Sequence, residues 1–502
     1  MGIVIRQSLK ASFVSYIGIF IGAFSTLWLY PKLLKPEEIG LLNLIQGIAF
    51  ISAGFLQLGA SNVIDKFFPQ FKNFEQKHQG FLSFMLFYTA TGFLLFSIIY
   101  SLSTNYWLEW YREKSPEVAN YIIYILLFAL FIAYQAVLEA YSRAHLRIAL
   151  PSVFKDIFTR LGVIFLVLFY FFGYFSFFWV IVGYVMVCGV AVLLLIVYLY
   201  RLKVFFLVPI SKQYLQKNTW QPMLTFAFYI FLGGMSASFT SRIDNLMIGA
   251  YLGTAWVGIY SVALYMATVI EIPQRALAQI STPIIAEAWK NNDLKAIQQI
   301  YQKSATNQLL LGCYIFLGIW LNIDYVFQLM PNGTIYEAGK YVMLWLGLAK
   351  VIDMATGLNG VIILQSNYYK FNLFLAIFLA FLLWFSNLFF IAWYGIVGVA
   401  WATFLSMLIW NVIKFLFLKL KFNLQPFDLK TLQAIALVGV VYLIVIMIPK
   451  TENAILNIMA QSVGISVLMG IGILVFKISP EAQQLWILGR NRLKNFISRE
   501  KK

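Results

Sequence analysis

Arg242, Asp244, Glu271 and Arg275 stand inside or at the edges of two apolar runs between Phe239 and Lys295. Lys350 and Asp353 share a later apolar run, and Asp156 and Arg160 an earlier one. A charge at bilayer depth costs at least about 2.5 to 3.5 kcal/mol, so such residues usually face a protein-lined cavity. In that setting a cation can hold an anion, and a carboxylate can take up a proton or a small cation. The spacings also allow a plainer reading. Glu271 and Arg275 are four residues apart, as are Asp156 and Arg160, and Lys350 and Asp353 are three apart, so each pair can neutralise itself on one helix face. Arg242 can equally anchor the outer end of its span. Other chemistry is excluded by what is missing. The sequence has no Asp-x-Asp, no His-Glu-x-x-His, and only two histidines, His78 and His145, so no catalytic residue and no metal site is expected.

These charges need an apolar frame. Of 502 residues, 61% are hydrophobic and 11% charged, far from the roughly 25% charged share of soluble domains. Mean hydropathy is +0.80. The net charge of +17 does not imply nucleic acid, because the basic residues sit in short loops between apolar runs. Cys188 and Cys313 both lie in apolar runs and read as small buried hydrophobes. The first apolar run, Ala11 to Tyr30, is span-length and has no small-residue cleavage site.

Spans are expected at 11–30, 39–62, 80–102, 118–141, 152–172, 178–200, 221–248, 255–283, 304–323, 340–363, 371–391, 397–418, 431–448 and 455–476. Lys350 then falls about 15 Å along its span, near the midplane. Lysine and arginine crowd alternate loops: Lys66, Lys72 and Lys77; Arg143 and Arg147; Arg201 and Lys203; Lys290 and Lys295; Lys414, Lys419 and Lys421; and the tail from Lys477. That bias places both termini in the cytoplasm. Between spans, Leu294, Ile297, Ile300 and Tyr301 recur at helical spacing, so Ile284 to Lys303 reads as an amphipathic connector at the inner surface. The basic tail 477–502 reads as a helix on the anionic inner leaflet.

The chain repeats itself. Leu34 to Leu41 reads like Leu252 to Ile259, and Phe71-Lys72-Asn73 reads like Trp289-Lys290-Asn291 at the same offset. Phe172-Gly173-Tyr174 and Tyr394-Gly395-Ile396 match at a slightly longer one, the drift of an ordinary loop change. An even number of spans per half makes the repeat parallel. The expected organisation is an all-α polytopic membrane protein of about 14 transmembrane helices: an N-lobe at 1–203, a cytoplasmic linker at 204–220, a C-lobe at 221–421, and two further spans within 430–476.

The segment Arg242-Ile-Asp244-Asn-Leu-Met-Ile-Gly249-x-Tyr-Leu-Gly253-x-x-x-Val257-Gly258-x-Tyr260 resembles the oligosaccharide flippases of bacterial polysaccharide export, within the multidrug/oligosaccharidyl-lipid/polysaccharide exporter superfamily. Tyr30-Pro31-x-Leu33-Leu34-x-Pro36-Glu37-x-x-Gly40 is similar to that family's segment between the first two spans. The resemblance implies two pseudo-symmetric six-helix lobes around a central cavity, two extra C-terminal helices, and a transporter rather than an enzyme. It implies flipping of undecaprenyl-diphosphate-linked oligosaccharide across the bacterial inner membrane by alternating access, beside a polysaccharide polymerase and glycosyltransferases. The diphosphate would meet Arg242, Arg275, Lys350 and Arg160, while Asp244, Glu271 and Asp353 are the candidates for coupling to protons or sodium; no cofactor is expected. Two rivals compete with this reading. A multidrug or small-cation exporter of the same superfamily would want a cavity dominated by acidic and aromatic groups. A polytopic glycosyltransferase or polymerase would want a carboxylate-rich metal site or a large outer loop.

Overall fold

The structure, a computed structural model, describes residues 2–209 and 217–484, and every regular element among them is a helix. Helix α1 runs Gly2–Phe24 and continues through a π-turn to Leu33. The next are α2 (Pro36–Phe71), α3 (Phe81–Glu109), α4 (Ile122–Ala144), α5 (149–171) and α6 (Phe177–Arg201). After them come α7 (Lys217–Tyr251), α8 (Thr254–Lys290), α9 (Leu294–Trp320) and α10 (Gly333–Ala355). Helices α11 and α12 together occupy Tyr369–Phe422, followed by α13 (Leu429–Ile446) and α14 (Ala454–Val475).

By length and composition, ten helices among the described residues can cross a membrane, or twelve if each of two bent pairs is one span. One of the ten is Tyr369–Phe422, whose 54 residues would reach about 80 Å, against a hydrocarbon layer of about 30 Å. Gly395 breaks it at φ 56°, ψ −136°, a region closed to side-chain-bearing residues, so it makes two crossings. Helix α5 escapes the tally because Lys155, Asp156 and Arg160 interrupt its apolar run. With both corrections each of the fourteen expected spans has a helix.

The chain forms two compact units, Met1–Val262 and Ala263–Lys502. The division falls within α8, later than the linker at 204–220, because α7 packs along α2 inside the first unit. Of that linker, 210–216 lie outside the described residues, as does the tail beyond 484.

Within the first unit the starts of α2 and α8 cross at their repeat-matched glycines. A Cβ on Gly40 would lie 1.7 Å from the Thr254 carbonyl oxygen, and one on Gly258 would lie 2.1 Å from the Pro36 carbonyl oxygen. The contact is reciprocal, and only backbone fits in it. Two further signals of the repeat have local causes. Gly173 and Gly395 both take positive φ where the chain turns between spans. Phe71 and Trp289 both mark the ends of long helices, where α2 and α8 stop.

Between α8 and α9 the expected surface connector is absent. The chain turns at Asn291–Asp293, and the Asp293 carboxylate accepts from the Ala296 N–H at 2.9 Å to start α9. Ile297 and Tyr301 are fully buried against Ile285, Leu358, Ile362 and Leu418. Their helical spacing is genuine, but the stripe packs on protein instead of lipid because the helices run on past the expected span ends. Pro273 sits near the start of Ile272–Lys290, after a 3-10 turn at Val269–Glu271, where its missing N–H costs no hydrogen bond.

Candidate functional site

Each unit has its own set of interior polar groups. In the first, the Tyr260 hydroxyl donates to Asp244 Oδ2 at 2.6 Å, both residues buried. The Arg242 guanidinium lies 5.3 Å from the centre of the Phe50 ring, a cation–π contact that offsets part of its desolvation. Nearby, Gln46 Nε2 donates to the Tyr184 hydroxyl at 2.7 Å.

Arg160 and Asp156 do not pair. Asp156 accepts from the Ser15 hydroxyl of α1 at 3.0 Å, and Arg160 has no ion pair among the described residues. Asp156 lies in a π-helical turn, Val153–Phe158, and is taken up by α1 instead of by its own helix. A carboxylate not anticipated from the sequence, Glu139, is buried in α4, where it accepts from Gln135 at 3.2 Å and pairs with Lys155 at 3.3 Å. His78 and His145 meet with Nε2 atoms 3.4 Å apart, enclosed by Phe68, Phe74, Tyr141 and Phe206. Both rings pack among aromatic side chains, and burial holds the His145 imidazole, outside the spans, below its usual pKa.

The second unit gathers charge. Glu271, at the 3-10 turn in α8, pairs with both Arg275 and Lys350. Lys350 therefore pairs across helices with Glu271, and the alternative pairing with Asp353 on its own helix is not made. Asp353 instead accepts from Gln274 Nε2 at 2.9 Å and Asn411 Nδ2 at 3.0 Å. The Asn411 amide oxygen in turn accepts from Thr356 at 2.9 Å and from Asn359 at 3.0 Å. Next to this network is Lys414, only 3% exposed, whose Nζ reaches Asn359 Oδ1 at 3.5 Å and lies 2.9 Å from the Trp410 ring centre. Glu271, Gln274, Arg275, Asp353, Asn359, Trp410 and Lys414 line one cavity of about 270 Å³.

Of the seven candidates, the structure thus joins Glu271, Arg275 and Lys350 in one cluster and sets Asp353 on the same cavity. Arg242 and Asp244 lie two residues apart on α7, and Arg160 lies on α5. Lys414, grouped above with the inner-end charges, was missed as an interior residue. Its signal was present: Asn411 and Lys414 are three apart, on one helix face, inside an otherwise apolar run. A positive-inside tally counts a lysine near a span end as a loop charge, and only the packing of α12 on α10 and the short helix Asn359–Gln365 buries it.

Residues 6–289 match the family described as Polysaccharide biosynthesis protein. No curated protein matches the chain in sequence. Among solved structures, the lipid II flippase MurJ in an inward closed conformation superposes with a TM-score of 0.76 at 12% identity, covering 93% of this chain and 98% of that one. An inward-facing multidrug resistance MATE family transporter of the MOP superfamily gives 0.64 at 16% identity, over 83% and 98%. A MOP superfamily transporter from Pyrococcus furiosus gives 0.55 at 13% identity, over 84% and 95%. At these identities the likeness is one of fold.

Proposed function

The chain belongs to the polysaccharide biosynthesis protein family, and on that premise we propose that it flips a diphosphate-linked oligosaccharide lipid across the bacterial inner membrane, both termini cytoplasmic. The observation that carries the reading is Glu271 holding Arg275 and Lys350 together beside a polar cavity. A diphosphate offers the same two cations what the carboxylate offers, with more charge and more acceptor oxygens. The head group can therefore exchange with Glu271 for Lys350 and Arg275, and each contact is weak enough to release. Protonation of Glu271 would free both cations at once, which is a direct route to proton coupling; Asp353, held by two amide donors, and Asp244 are the other carboxylates proposed for coupling. Arg242 and Arg160 supply cationic contacts in the first unit. The lipid tail stays in the bilayer throughout, so only the head group needs a wet, charged path. Alternating exposure of these contacts to the two membrane faces completes the cycle. A polymerase and glycosyltransferases would work beside it, and the chain itself does no covalent chemistry in this scheme.

The test is reconstitution of the full chain in liposomes with a fluorescent polyprenyl-diphosphate oligosaccharide. Faster movement between leaflets than in protein-free liposomes, lost in Glu271→Gln, is the expected result. Transport of a lipophilic cation with no effect on the lipid would instead favour the small-cation exporter.

A further inference from the structure

We propose that Lys414 and the indole N–H of Trp410 form an oxyanion subsite in the second unit's cavity, and that it takes a phosphoryl group. The argument begins with hydrogen-bonding capacity. An ammonium carries three donors and no acceptor, and an indole N–H only donates. The Lys414 ammonium is buried, forms no ion pair among the described residues, and reaches one oxygen, Asn359 Oδ1, at the limit of hydrogen-bond distance. The Trp410 Nε1 is likewise buried with no acceptor among the described residues. Both residues line the same cavity. The ammonium has one distant acceptor for three donors, the indole N–H has none among the described residues, and both residues line one cavity, which calls for an occupant that accepts.

Charge points the same way. Glu271 and Asp353 bring two negative charges, and Arg275, Lys350 and Lys414 bring three positive ones. The carboxylates are already engaged, Glu271 by Lys350 and Arg275, and Asp353 by Gln274 and Asn411. Counting Lys350, which pairs with Glu271 but does not line the cavity, the cluster carries one surplus positive charge, and Lys414 is its cation without an ion pair among the described residues, so an anion neutralises the cluster and a cation does not. The two lysines therefore differ in task. Lys350 is held by Glu271 until that pair opens, while Lys414 is ready from the start. That the anion is phosphoryl, rather than another oxyanion, rests on the flippase reading above. The same chemistry could come from free phosphate or from a lipid head group.

The experiment uses the full chain in nanodiscs of neutral lipid, titrated by calorimetry with inorganic pyrophosphate and, separately, with farnesyl diphosphate. Lys414→Met should weaken pyrophosphate binding about tenfold or more, and Trp410→Phe about threefold, as expected for a charged and a neutral hydrogen bond. Lys414→Arg should keep part of the affinity, and Lys295→Met, at the exposed start of α9, should keep all of it. Tighter binding of farnesyl diphosphate than of pyrophosphate identifies a lipid head group as the natural source; equal binding identifies free phosphate. Wild-type affinity for pyrophosphate in both Lys414→Met and Trp410→Phe, with unchanged melting, would overturn the subsite. Should Lys414→Met fail to fold, Trp410→Phe, which removes the indole N–H and keeps an aromatic face beneath Lys414, decides alone. The subsite and the flippase reading fail separately. Pyrophosphate binding lost in Lys414→Met, in a protein that moves no lipid in liposomes, keeps the subsite and sinks the flippase. Lipid flipping in the liposome assay that persists undiminished in Lys414→Met, with affinity for pyrophosphate also kept, does the reverse.

Discussion

The two units differ in what they bury. At the offset that carries Leu34 onto Leu252, Glu271, Lys350 and Asp353 correspond to Ala53, Ile132 and Gln135. At the offset that carries Phe172 onto Tyr394, Lys414 corresponds to Val192. The first unit thus has apolar or neutral side chains where the second has a charged cavity. Its own interior charges stand elsewhere, with Asp244 on Tyr260, Arg242 over Phe50, and Glu139 on Lys155. What the sequence repeats keep in common is backbone geometry: positive-φ glycines at one turn, and matched glycines that meet at a single crossing within the first unit. Interior charge is costly in lipid, and a frame does not need it. In the second unit such charges gather about one cavity, whereas in the first they stand apart in separate contacts.

The largest effect expected from breaking this comparison falls on the crossing of the matched glycines. Gly40→Ala or Gly258→Ala puts a methyl into a backbone carbonyl, which no rotamer can relieve. Either should abolish transport, with little folded protein reaching the membrane. Gly234→Ala, where a Cβ meets nothing within 4 Å, should be neutral in the same assay of transport and folded amount. Normal behaviour of the Gly40 and Gly258 variants would show that the crossing is not held by backbone contact.

Next in size is the charged cluster of the second unit. Glu271→Gln leaves Lys350 and Arg275 side by side without their shared anion, a loss of about 3 kcal/mol for a partly buried pair. It should lower the melting temperature in detergent more than Lys350→Gln does. Combining Lys350→Gln with Glu271→Gln should recover part of the loss. Combining Lys350→Gln with Asp353→Asn should not, because Asp353 is bound by Gln274 and Asn411 and not by Lys350. Rescue by the Asp353 double instead of the Glu271 double would mean that the helix-local pair forms after all.

How much of this was legible in the sequence follows from which forces are local. Hydropathy and span length are summed over about twenty residues, so all fourteen helices could be placed in advance. Glycines at 40, 258, 173 and 395 were readable through repetition, although their reason, a shared crossing and a shared turn, is a tertiary fact. Pairing was only partly legible. Glu271 and Arg275 met as their spacing allowed, but Asp156 was taken up by Ser15 of another helix. The partners of Lys350 and Asp353 come from other helices and leave no trace in spacing. Lys414 was hidden by its position, since a lysine in the last turns of α12 looks like a loop charge until its neighbours are known.

The smallest effect tests the first unit's claim to an interior cation. Arg242 keeps its charge without an ion pair among the described residues, and the contact available to it is the face of Phe50 at 5.3 Å. Phe50→Leu keeps the apolar bulk and removes the ring quadrupole. The loss should be about 0.5 to 1 kcal/mol, a small drop in melting temperature and a few-fold change in transport at most. Phe50→Tyr should match wild type, because the ring face is retained. Arg242→Met on its own should cost transport more than stability if the guanidinium meets cargo, since a half-buried charge without a partner ion does little to hold the fold. In the Arg242→Met background, Phe50→Leu should then add nothing, because the two changes remove the same contact. Additive losses across that double cycle would show that Phe50 acts by packing alone. Arg242 would then be an anchor at the edge of its span, and Arg160 would be left as the first unit's proposed cationic contact.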